Sequence, residues 1–113
     1  MNIEEMINLQ RRFEENFFDA ETMTMEDRQR WIEKFVVHIM DQSTSLLNEL
    51  NWKEHRPTEP VDHDAVMREL VDIQKYVMAI QVVMNVDPDE FEQVFVDRSV
   101  EVEQRFEEEF DAR

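Results

Sequence analysis

"ELVDIQKYVMAIQVVMNVDPDEF", residues 69–91, decides how this chain folds. With the stretch before it from His63, apolar Val66, Leu70, Ile73, Val77, Ile80 and Met84 recur at alternating steps of four and three, the repeat of one helix face. Val71, Met78 and Val82 add a second stripe, so residues 63–85 predict a helix covered by neighbours on several sides. The pattern stops at "DPDE". Asp87 is placed to cap a new helix and Pro88 to open it, because proline in the first turn gives up an N–H that has no helical partner there. This fourth helix, residues 88–110, is expected to turn Phe91, Val94, Phe95, Val102, Phe106 and Phe110 inward.

Working back toward the N-terminus, Ile3, Met6, Ile7, Leu9, Phe13, Phe17 and Phe18 give residues 3–19 an amphipathic helical pattern. Thr24 with Asp27 three positions on predicts the cap of a second helix, residues 25–50, whose stripe is Trp31, Phe35, Ile39, Leu46 and Leu50. "NWKEHRPTEPV", residues 51–61, has two prolines and no periodicity, and reads as a loop. Glycine is absent from all 113 residues, and Pro57, Pro60 and Pro88 all fall between helical patterns. Tight hairpins draw on glycine for positive φ, so the expected class is all-α, a single domain over residues 1–113 with a bundle of four to five helices. Apolar arcs this wide exceed what one small bundle hides, which predicts completion of the core by a second copy.

Twenty-eight acidic against twelve basic residues, a net charge of -16, exclude binding to phosphate backbones through a cationic face, so no direct nucleic-acid partner is expected. Eleven of the acids lie from Asp87 onward and read as a solvated face. The lack of cysteine excludes disulfides and thiolate metal sites and fits a reducing compartment. "MNIEEMINLQRRF" carries acids where a signal peptide has basic residues, and no apolar run approaches membrane-spanning length. The expectation is a cytoplasmic protein without membrane contact. His55 and His63 have no shared helical spacing that would suit zinc, and the serines lack a base partner.

The candidate chemistry lies on the third helix. Glu69 and Asp72 share a wheel sector with Ala65, Tyr76, Ala79 and Val83, a sector without lysine or arginine. Two carboxylates on a partly buried face need positive charge, from a divalent metal such as magnesium or from an arginine of another helix. The second helix offers a facing polar strip of His38, Asp41, Gln42, Ser45 and Glu49. Acids at Gln42 and Ser45 would complete a four-carboxylate cage, but both residues are neutral.

At these residues the chain resembles the all-α nucleoside triphosphate pyrophosphohydrolases, the superfamily of MazG-type proteins, dimeric dUTPases and phage dCTPase-dUTPases. "LQRRFEENF" is similar to the opening helix with its glutamine, "LLNELNWKEHR" to the end of helix two with its Trp-Lys loop, and "ELVDIQKYVMAIQVVMNVDPDEF" to the metal helix and the connection after it. The resemblance covers nearly the whole chain and is nearest to the dimeric dUTPase branch.

It implies a helical dimer that cleaves a deoxynucleoside triphosphate between the α and β phosphorus atoms, with magnesium held by an ExxE on helix two and an ExxD on the later helix. Glu69 and Asp72 match the ExxD, whereas Gln42 and Ser45 occupy the ExxE positions. The family's last-helix pattern Y-x-x-K-N-x-x-N-x-x-R falls on Phe95, Arg98, Ser99, Val102 and Arg105, which keeps the arginine and leaves Arg98 in place of lysine. Lys53, Arg98 and Arg105 are thereby the implied substrate contacts. Neutral Gln42 and Ser45 remove two charges from the magnesium cluster, so the resemblance implies a weakened metal site and a degenerate enzyme. Such a protein would act as a nucleotide-binding or protein-interaction subunit, as a homodimer or within a larger complex. Two other readings are an active magnesium-dependent dNTP pyrophosphohydrolase with water activated by Glu49 or Asp41, and an acidic module engaging a basic partner.

Overall fold

The structure, a computed structural model, describes residues 1–111. Four helices, α1 (Ile3–Glu14), α2 (Met25–Asn48), α3 (His63–Val83) and α4 (Pro88–Asp111), make an all-α bundle with no strand among the described residues. Each helix starts on a short polar side chain that accepts a backbone N–H left without a helical partner. Asn2 accepts from Glu5 at 2.9 Å, Thr24 from Asp27 at 3.1 Å, Asp62 from Ala65 at 3.1 Å and Asp87 from Asp89 at 2.9 Å. No helix among the described residues is long and apolar enough to cross a membrane.

Helix ends depart from the periodic reading where local hydrogen bonds compete. α1 stops at Glu14 rather than near residue 19: the Asn16 side chain donates to the Phe13 carbonyl at 2.8 Å, and the Phe17 N–H turns back to Glu14 at 2.9 Å. α3 ends in a left-handed cap with no glycine to provide it. Asn85 takes φ 51°, the Val86 N–H reaches the Gln81 carbonyl at 3.0 Å and the Asn85 N–H reaches Val82 at 2.9 Å. Asparagine is the side chain that best tolerates this conformation after glycine. Arg11 on α1 donates to the Asn85 side chain at 3.2 Å and ties the cap to the first helix.

α3 is the common partner of the fold, packing against α2 along one side and α1 along another. The two faces that α3 buries are the second stripe and the sector of Glu69, Asp72 and Tyr76, not the first stripe. Met78 and Val82 pack with Ile7 and Ala20, while Ala79 and Val83 pack with Phe35, and Phe18 touches both groups. The deep core is therefore at the C-terminal end of α3, and Leu70, Val71, Val77 and Met84 of α3 and Leu50 after α2, expected inside, are exposed in this chain. Arg28 closes that end by donating to the Val83 carbonyl and, at 2.7 Å, to the Ala20 carbonyl.

Two further expectations are corrected. On α1 the buried positions are Ile7, Gln10 and Glu14, at 1%, 4% and 4% exposure, whereas Phe13 and Phe17 lie largely in solvent. On α4 the stripe read as inward-facing is exposed, with Phe95 at 65% and Phe106 at 66%. α4 packs over no comparable length on any other helix of its own chain.

Candidate functional site

The α2–α3 seam runs from an aromatic end to a polar end. Trp31, Phe35, His38, Gln42, Ser45 and Glu49 follow one another at helical steps along α2. Phe35 meets Tyr76 at 6.2 Å between ring centroids, and His38 stacks on the same ring at 5.0 Å with the planes 6° apart. Phe18 and Phe35 flank Trp31 at 5.0 and 5.7 Å, which extends the aromatic row to the Arg28 end of the bundle. Because Phe35 pairs with Tyr76 and Gln42 with Glu69, the two helices run antiparallel.

At the polar end the half-buried Gln42 side chain donates its amide N–H to the Glu69 carboxylate. An amide nitrogen therefore stands where the carboxylate of α3 looks for positive charge, and its partial charge satisfies the acid without a full cation. Ser45 does not join this contact. Its hydroxyl donates at 3.4 Å to the Asp41 carbonyl one turn back on its own helix. Asp41 and Asp72 are exposed, Asp72 one turn from Glu69.

Glu49 and Lys53 belong to a separate place. Glu49 is the C-terminal cap residue of α2 and lines, with Trp52, Lys53, Arg56, Glu59 and Asp62, an open polar cavity of about 420 Å³. The loop is closed by Asn51, whose side chain donates to the Glu59 carbonyl at 2.8 Å and accepts the Glu59 N–H at 2.9 Å. Lys53 lies 5.1 Å from the centroid of the half-exposed Trp52 ring, a cation–π pair that holds its ammonium at the cavity.

Arg98 and Arg105 are carried away from both places by α4. Arg98 pairs with Glu101 at 2.9 Å on its own exposed helix face, and Arg105 is exposed. The alternative of arginines neutralising Glu69 and Asp72 is thus not realised among the described residues. The ion pairs among the described residues, Arg30–Glu26 and Arg98–Glu101, each lie within a single helix.

The sequence-predicted residues therefore come together as two groups, Gln42 with Glu69 and Glu49 with Lys53. No three His, Asp or Glu side chains among the described residues stand close enough to hold a metal ion. As placed, the donors do not fit a pair of divalent ions, because an N–H donor faces Glu69 where a second oxygen ligand would be needed.

Sequence reasoning passed over the polar groups inside α1. Gln10 donates to Glu14 at 2.8 Å, and the Gln10 carbonyl oxygen is buried without a partner among the described residues. The signal was present: Ile7, Gln10 and Glu14 repeat at steps of three and four, a buried register in which two of three residues are polar. Arg56, which adds a second cation to the Lys53 cavity, was also missed.

No protein-family model, no curated protein and no solved structure matches this chain.

Proposed function

We propose that this chain is a degenerate all-α NTP pyrophosphohydrolase that keeps the helical scaffold, has lost efficient hydrolysis, and acts as a nucleotide-binding or protein-interaction subunit. The observation that carries the reading is the hydrogen bond from Gln42 to Glu69. In the family resembled here, acids on the two helices share magnesium; in this chain a neutral amide bonds directly to the remaining acid. Ser45, spent on its own helix, and Asp72, left in solvent, point the same way.

Nucleotide binding in this reading falls to the loop cavity, where Lys53 and Arg56 stand among the carboxylates of Glu49, Glu59 and Asp62. Cations at an open polar cavity suit a phosphate chain.

Incubating the purified protein with each dNTP and magnesium tests the proposal through released pyrophosphate. The expected result is background release from the native chain and a gain in Gln42→Glu with Ser45→Glu. Pyrophosphate released by the native chain and lost in Glu69→Ala would instead identify an active hydrolase. Quenching of Trp52 fluorescence by dNTP, lost in Lys53→Ala with Arg56→Ala, measures the binding half of the reading separately.

A further inference from the structure

α4 carries an apolar stripe that no other helix of the described chain packs along. Phe91, Val94, Phe95, Val102 and Phe106 line it, in an open groove of about 620 Å³ on the surface of the helix itself. Phe91 is half-buried at the base of the helix, whereas the other four are at least half exposed.

Both borders of the stripe are acidic. On a wheel of roughly 100° per residue, Glu92 and Glu103 stand along one edge, and Glu90, Asp97, Glu101 and Glu108 along the other. The helix as a whole has ten acids against two arginines, and one of the two, Arg98, is already taken by Glu101 at 2.9 Å.

These two features fix the chemistry of an occupant. The backbone of α4 is bonded within the helix, so its surface offers side chains and no edge for an extended strand. An occupant must satisfy its own backbone while it covers Phe95, Val102 and Phe106, which an α-helix does. Apolar residues at helical spacing fill the stripe, and lysines or arginines on either side of them meet the two acidic borders. From Phe91 to Phe106 the stripe is about 22 Å long, the length of a four-turn helix. A second copy of this chain is the poorer match, since it would set the acids of α4 against another molecule of net charge -16.

We propose that α4 is the docking face for a basic amphipathic helix of a partner protein, anchored by apolar side chains on Phe95, Val102 and Phe106. The proposal rests on the protein-interaction half of the proposed function and gives that half its site and the chemistry of its partner.

The probe is a fluorescein-labelled synthetic helix of about 16 residues, with leucine at helical spacing and lysine elsewhere, titrated with the full chain and followed by anisotropy without nucleotide or magnesium. The expected result is saturable binding of one peptide per chain, weaker as salt rises, with protection from hydrogen exchange confined to α4. A peptide of the same composition whose leucines are scrambled off helical spacing should bind about tenfold more weakly or worse, and so should the original peptide to Phe95→Ser with Phe106→Ser. Glu103→Gln with Glu108→Gln, one from each border, should weaken binding about threefold. Glu21→Gln with Glu33→Gln, which removes the same charge from the first loop and from α2, should leave it nearly unchanged. All four glutamates are exposed, so these pairs keep the test open even if the serine variant unfolds.

Equal affinity for the scrambled peptide, equal loss in the two glutamine pairs, or exchange protection outside α4 would overturn the proposal. Self-association of the chain through the same phenylalanines that shuts the peptide out would do so as well. Because the assay contains no nucleotide, the quenching of Trp52 by dNTP stands or falls separately.

Discussion

Gln42 on α2 donates its side-chain amide to the carboxylate of Glu69 on α3, and this contact joins the polar end of the seam. Gln42→Ala leaves a half-buried carboxylate short of a donor and should cost about 1 kcal/mol. Gln42→Glu sets two carboxylates against each other and should cost more, about 2 kcal/mol at neutral pH. That extra loss should shrink on adding magnesium. Thermal unfolding followed by circular dichroism, with and without magnesium, reads all three effects. Equal stability of the alanine and glutamate variants under every condition would show that the two side chains are not coupled.

Glu14 is a buried carboxylate whose hydrogen bond in the chain comes from Gln10, with no ion pair to it among the described residues. Burying a charge without a counter-ion is costly, and an amide of the same shape can still accept from Gln10. Glu14→Gln should therefore stabilise the protein by about 1 kcal/mol, seen as a higher urea midpoint with unchanged slope. A lower midpoint would mean that the carboxylate finds a cation in solution.

Arg28 donates to two backbone carbonyls, Ala20 before α2 and Val83 at the end of α3. Arg28→Met removes both donors while keeping much of the apolar stem, and should destabilise by about 2–3 kcal/mol. Arg28→Lys should recover part of that, because an ammonium lacks the fork that reaches two acceptors at once. Identical melting of the methionine and lysine variants would show that packing, not donation, is what Arg28 contributes.

Asn85 holds the left-handed cap of α3 at φ 51°. Asn85→Val should cost about 1–2 kcal/mol, since a branched Cβ clashes in that conformation. Asn85→Gly should be tolerated apart from its lost bond to Arg11, seen at 3.2 Å. Hydrogen exchange at Val86, whose N–H bonds to Gln81, reports on the cap directly.

Elements governed by neighbours in sequence were legible. Thr24 and Asp87 cap the helices they were read to cap, and the loop before Asp62 is where two prolines and the end of periodicity placed it. Burial was less legible, because the wheel shows which residues share a face and not which face meets a neighbour. Phe13 and Phe17 outrank Gln10 and Glu14 in hydrophobicity, yet the polar pair faces α3 because it shares the register of Ile7. The α4 stripe is visible as a pattern in sequence, but the pattern does not show that no other helix of the described chain packs along it. At the candidate site, the polar strip with Gln42 was read as facing the sector of Glu69, and the two side chains meet. Ser45 turning to its own backbone did not, since a hydroxyl one turn from a carbonyl always has that choice.

The central place of α3 bears on how the chain is made. α1 and α2 each find their main partner in the third helix and pack little on one another, so the first helix emerges during synthesis well before the surface it needs. Between Glu14 and Val83, translation at about 5–20 residues per second leaves α1 waiting roughly 3–14 s with its apolar face bare. Nascent chains of this protein should thus be clients of holding chaperones until the third helix is out, and structure should arrive late and together.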